Sequence, residues 1–209
     1  MKPGAARQEI VKYQRTDRMQ AYQRNRRQWL ITKFAIIGLG ILVIAGVGYY
    51  LVNSVRTSDA NTMPKNVASY SYPQGQHDDK FNAWTENPPV GGFHNNAWQN
   101  CGYYAKPIGT GNGVHSMEHG AVWITYQPNL PQDQIDKLKK LAEGQDFILV
   151  SPFPGIPSPI VASAWNKQIM LKSADDQDLT RFINTFKNNA KYTPEFGARC
   201  SGGVSTTTG

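Results

Sequence analysis

Only two of the 209 residues are cysteines and four are histidines, and the cysteines form no Cys-x-x-Cys pair. No motif of paired thiolates therefore marks a metal site. Charge is missing as well. Residues 34–52, "FAIIGLGILVIAGVGYYLV", carry none, and the charges after residue 33 sum to zero. Residues 1–33 hold nine Lys/Arg against Glu9 and Asp17, which accounts for the whole formal charge of +7. The other 176 residues hold 13 basic and 13 acidic side chains, a balance that argues against a nucleic-acid partner. No internal repeat is visible.

What is present begins with the uncharged run. Nineteen helical residues rise about 28 Å, close to the hydrocarbon thickness of a bilayer. Trp29 on one side and Tyr49 and Tyr50 on the other are the rings expected at membrane interfaces. A cleaved signal peptide fits less well: the apolar core is long, the basic region before it exceeds thirty residues, and no Ala-x-Ala-like site follows Val52. The expected organisation is a basic cytoplasmic tail (1–33), a transmembrane helix (34–52) in the cell membrane, and an exported remainder. Arg56 is the only basic residue in the dozen positions after the span, so the positive-inside rule keeps the N-terminus in the cytoplasm. The bilayer is the first partner, and the basic tail chiefly sets topology.

Cys101 and Cys200 both fall in the exported part, where oxidising conditions favour a disulfide between them. Two separate thiols, one or both a metal ligand, are the alternative. Residues 53–80 read as a polar stalk with a short strand around Val67–Tyr72, and "SGGVSTTTG" (201–209) as a loose tail. Residues 81–200 then form the exported domain. Its first half is loop-heavy, and "GTGNG" (109–113) lacks the Gly-Lys-Ser/Thr ending of a phosphate loop and reads as a flexible turn.

The second half reads as strand 121–126, helix 131–144, strand 147–151, two strands within 159–172 joined at Asn166–Lys167, and a last helix. In that helix Ser173 is the expected cap, Asp175 and Asp176 lie in the first turn, and Leu179, Phe182, Ile183 and Phe186 form the buried stripe. The fold class is α+β: a small sheet with two helices on one face, a loop-rich N-terminal half, and one transmembrane helix before it.

"HSMEH" (115–119) carries the functional question. On a helix, His115, Glu118 and His119 share a face and give the His-x-x-Glu-His pattern, with both histidines on zinc and Glu118 as catalytic base. In extended chain, His115, Met117 and His119 share a face instead, a set suited to copper. Gly113 and Gly120 leave only six residues between them, less than two helical turns, and no third protein ligand stands out downstream. His94, in the rigid "NPPVGGFHNNAW" loop, can join His115 and His119 as a nitrogen ligand, with Met117 or Glu118 completing the shell. His77, beside Asp78 and Asp79, reads as a solvated residue. Alternatively, the histidines bond backbone carbonyls and hold loops together.

"NPPVGGFHNNAW", "GYYAKPI", "VHSMEHGAVWITY" and "YTPE" together resemble the bacterial family of domain of unknown function 3105 (DUF3105), over roughly residues 67–197. The resemblance implies an N-terminal anchor and an exported domain with an Asn-Pro-Pro…Gly-x-His loop and a His-x-x-Glu-His-Gly stretch. It points to His94, His115, Glu118 and His119 without assigning a reaction. Val90-Gly91-Gly92-Phe93 stands where a Thr-Ser-Gly-Pro-like loop is more usual. The expected function is an exported, non-catalytic domain binding copper or zinc. The rivals are an accessory subunit docked on a larger membrane complex, with structural histidines, and an exported zinc hydrolase using Glu118.

Overall fold

A computed structural model describes residues 3–60 and 62–208, with side chains for 15–55 and 62–208. The chain divides into two units, Met1–Arg56 and Thr57–Gly209. Helix α1 (Pro3–Ala60) makes up the first and continues four residues past its end; it runs on beyond the apolar stretch at both ends. Within Arg15–Val55 an 18-residue window reaches a mean hydropathy of 2.4, and none of it is buried. Phe34, Leu42 and Ile44 are 67%, 71% and 74% exposed. A helix apolar on every side of that window, unburied among the described residues, is long and apolar enough to cross a membrane.

The second unit is α+β. Its elements are β1 (Ala68–Ser69), β2 (Gly102–Tyr103), α2 (Thr110–Glu118), β3 (Val122–Tyr126), α3 (Gln132–Ala142), β4 (Ile148–Pro152), β5 (Ile160–Ala164), β6 (Lys167–Leu171) and α4 (Gln177–Phe186). They build one mixed sheet in the order β1-β6-β5-β3-β4-β2. β3 lies at its centre, parallel to β4 and antiparallel to β5. Asn166, at φ 60°, turns β5 back into β6.

Side chains alternate across each strand, and the two faces are closed differently. Val122, Ile124, Ile148, Val150, Ile160 and Ala162 meet Leu138 and Ala142 of α3 and Leu179, Phe182 and Phe186 of α4. Those are the two helices expected on one face. The opposite face, with Trp123 and Leu149, packs against Val114 and Met117 of α2, Ile108 and Trp165. A third helix therefore lies in the half read as loop-heavy, and of the two alternatives for 115–119 the helical one is formed up to Glu118.

Three expectations are corrected. "GTGNG" is not a flexible turn: Gly109 precedes the helix and 110–113 form its first turn. A Cβ on Gly113 would stand 2.8 Å from the Trp123 ring, so glycine there permits close packing. The stalk expected over 53–80 does not extend past residue 67: the short strand expected there forms as β1 and pairs with β6, and the stretch around His77 bridges to His94. Residues 201–208 are no loose tail, since Val204 and Thr207 form bridges to Gln99 and Ile108. In both segments backbone hydrogen bonds supply the order that the lack of apolar residues concealed. The cap of α4 also differs: the Asp176 carboxylate, not Ser173, accepts from the Asp178 N–H at 3.0 Å.

Gly120 ends α2 at φ 103°, and a Cβ there would meet Thr193 at 2.9 Å and the Asn188 Cα at 3.0 Å. Gly120→Ala is expected to cost about 1–3 kcal/mol from strain and overpacking, read as a shift in the denaturation midpoint.

Candidate metal centre

Helix α2 sets the geometry. Because "GTGNG" extends it to nine residues, His115 has a full turn before it, and one helical turn puts its ring beside His119. Their Nε2 atoms are 3.0 Å apart. Met117 projects elsewhere and is fully buried among Val114, Trp123, Leu149 and Trp165. Helical periodicity thus separates Met117 from the histidines, and the extended His-Met-His arrangement is not formed.

Two other segments reach the same place. Residues 76–78 and 94 are joined by His94 N–H to the Gln76 carbonyl (2.9 Å) and Asp78 N–H to the His94 carbonyl (2.8 Å). The His77 ring therefore sits 4.6 Å from that of His94 and 4.9 Å from that of His115, centroid to centroid. From the other side, Glu195 N–H bonds the Glu118 carbonyl at 3.1 Å, and the Glu195 carboxylate stands 3.2 Å from His119 Nε2.

The ring nitrogens are used in one pattern. His94 Nδ1 lies 2.7 Å from the Gly92 carbonyl, His115 Nδ1 2.6 Å from that of Asn95, and His119 Nδ1 2.6 Å from that of Arg199. A carbonyl only accepts, so each Nδ1 carries a proton and donates it there, and each Nε2 is turned inward. Nε2 of His115 thus faces Nε2 of His119, and Nε2 of His94 faces Glu118 Oε2 at 2.9 Å. His94 and Glu118 are wholly buried, and those two facing atoms make no aligned hydrogen bond. Buried atoms of these kinds stand so close only with a proton or a metal cation between them. Two donors of a tetrahedral ion bonded at about 2.0–2.1 Å lie about 3.3 Å apart, close to these separations.

Two ligand groups result, each with its ligand atoms within 4.8 Å of one another: His77, His94, His115 and Glu118, and His115, His119 and Glu195. His94, His115 and His119 do not meet as one trio; His115 links the two groups. His77 is exposed, as the sequence reading has it, yet its ring stands against His94 and His115, which nothing in a polar segment announces. Glu195 was missed although it stands in the quoted "YTPE", 76 positions beyond His119.

Electrostatics follow from burial. Burial pushes the His115 imidazolium down to about 4, with neighbouring His119, His94 and His77 adding to the effect against the Asn95 carbonyl. For Glu118 burial opposes ionisation, but His94 and the Gly75 N–H, 2.6 Å from Oε1, outweigh it and hold the carboxyl below its usual range. Because His115 takes up a proton near pH 6.5 when unfolded and near 4 when folded, the metal-free protein should lose stability as pH falls across that window. The loss is at most about 3 kcal/mol, is complete near pH 4, and should shrink in His115→Ala; urea titrations at pH 7, 5.5 and 4 measure it.

Cys101 and Cys200 are joined as a disulfide, with Cα atoms 5.4 Å apart, and so are not ligands. The bridge holds the neighbouring Arg199 carbonyl against His119. A cleft of about 680 Å³, lined by residues that include Tyr72, Gln74, Trp165, Lys167, Lys191 and Pro194, borders the same segments.

The family model described as "Protein of unknown function (DUF3105)" matches residues 76–202. The chain belongs to the DUF3105 family. The DUF3105 match spans all the candidate ligands, from His77 to Glu195. The two motifs that carried the resemblance, the Asn-Pro-Pro…His loop and the His-x-x-Glu-His-Gly helix end, meet at His94 and Glu118. In this DUF3105 chain the Gly92 carbonyl, inside the atypical Val90–Phe93 stretch, orients His94. No curated protein and no solved structure matches the chain.

Proposed function

We propose that this is a single-pass membrane protein whose exported domain binds a transition-metal ion, zinc or copper, without turning over a substrate. The observation that carries the reading is the set of three imidazoles, each with Nδ1–H tied to a carbonyl and Nε2 turned toward another potential ligand atom. Such backing is typical of metal-ligating histidine, because it fixes the tautomer and raises ligand basicity. With Met117 in the core the donors are nitrogen and oxygen, a set suited to Zn(II) or Cu(II) rather than Cu(I). The N-terminal excess of basic residues and the paired cysteines support an outward-facing domain.

The test is thermal unfolding of the full chain in detergent, stripped with chelator and then titrated with Zn(II). An ion that binds only the folded state adds about 2.7 kcal/mol at a hundredfold excess over Kd, so the midpoint should climb with zinc concentration. A midpoint indifferent to Zn(II) and to Cu(II) contradicts the reading.

One observation favours hydrolysis as a second reading: the His-x-x-Glu-His pattern lies on and just past a true helix, with Glu195 available as third ligand. Against it, Glu118 is wholly buried and its oxygens face Gly75 N–H and His94, leaving neither free for an attacking water. Glu118→Gln discriminates. Hydrolysis requires that variant to keep the metal and lose activity on an ester or peptide probe, whereas the binding reading expects weakened metal retention and no activity to lose.

A further inference from the structure

The two ligand groups have one member in common, and that member has one lone pair to give. His115 Nδ1 is committed to the Asn95 carbonyl, so only Nε2 remains, and a single lone pair bonds a single ion. The groups therefore cannot both be filled through His115. They also differ in character. The first offers four donors, of which His94 and Glu118 are wholly buried, and His77 alone is exposed. Four protein donors close a tetrahedral site. The second offers three donors, and the Glu195 side chain is 46% exposed, so a fourth position stays open to water or an incoming ligand.

We infer that the protein binds one ion per chain in two mutually exclusive seats that share His115: a closed seat of His77, His94, His115 and Glu118 that retains the ion, and an open seat of His115, His119 and Glu195 through which it is exchanged. This rests on the metal-binding reading above and adds stoichiometry and direction to it. In the closed seat every position of a four-coordinate ion is occupied, so a competing ligand must first displace a buried donor. In the open seat the competitor adds directly. Rotation of no backbone element is needed, because the donors of both seats already surround His115. The partner implied is a donor or acceptor of divalent metal that presents a nitrogen, oxygen or sulfur ligand to the open position.

The experiment uses Cu(II) as a spectroscopic probe on the full chain in detergent. Native mass spectrometry counts bound ions, electron paramagnetic resonance resolves the ligand sets, and stopped-flow mixing with EDTA measures removal. Wild type is expected to bind one Cu(II) and to show two overlapping signals. Glu195→Gln should leave the closed-seat signal and slow removal by EDTA at least tenfold. His77→Ala should shift the population to the open seat and slow nothing. Both residues are exposed, so neither variant should fail to fold. Two ions per chain, or one signal unchanged in both variants with unaltered removal rates, overturns the two-seat proposal and leaves metal binding standing. Failure of wild type to bind Cu(II) or Zn(II) at all overturns both.

Discussion

His115→Ala is expected to abolish metal retention outright, the largest effect of any single substitution in this chain. His115 belongs to both ligand groups, so its loss reduces one to three donors and the other to two. Removing only a hydrogen-bond partner behind a ligand typically lowers affinity about 10–100-fold, and removing the shared ligand itself should exceed that. The metal-free variant should lose far less. An unpartnered Asn95 carbonyl costs about 1–3 kcal/mol, partly offset because the facing Nε2 of His119 loses its opponent. Equilibrium dialysis against Zn(II) and a denaturant midpoint without metal separate the two effects. A variant that keeps wild-type affinity would remove His115 from the account.

The second large effect concerns the disulfide. Cys101 and Cys200, 99 positions apart, close a loop of about 100 residues, which the chain-entropy model values at about 4.7 kcal/mol, and loss of such a bridge usually costs about 2–5 kcal/mol. The Cys101→Ser/Cys200→Ser pair should therefore unfold at markedly lower denaturant. It should also bind metal about 10–100-fold more weakly, because the Arg199 carbonyl that fixes the His119 tautomer stands next to Cys200. Reductant should lower the wild-type midpoint by a similar amount and leave the double variant unmoved. A double variant with full affinity would mean that the C-terminal segment holds His119 without the bridge.

Much of this architecture is legible in the sequence because it is written in periodicity. β3 to β6, α3 and α4 each carry an alternating, continuous or i, i+3/i+4 apolar pattern, and each forms within a few residues of its expected place. What failed to show was order made by backbone pairing and close approach. Helix α2 begins inside a glycine run because Gly113 must let the Trp123 ring lie against it, and glycine reads as a turn until that neighbour is known. His77 joins the site through two main-chain hydrogen bonds to the His94 segment, which no side chain in "PQGQHDD" signals.

The candidate site was half legible. His94, His115, Glu118 and His119 were recognisable from their residue types and motif, and all four are buried around His115. Met117 was included because the extended conformation puts it beside the histidines, whereas the helix carries it into the core. Glu195 was overlooked because only the fold brings residues 76 positions apart into contact.

X-ray absorption at the metal edge of the zinc-loaded full chain is the most direct measurement. The account requires a first shell of nitrogen and oxygen at about 2.0–2.1 Å with outer-shell scattering from at least two imidazole rings. A shell of water oxygens alone, or sulfur at about 2.3 Å, would contradict it.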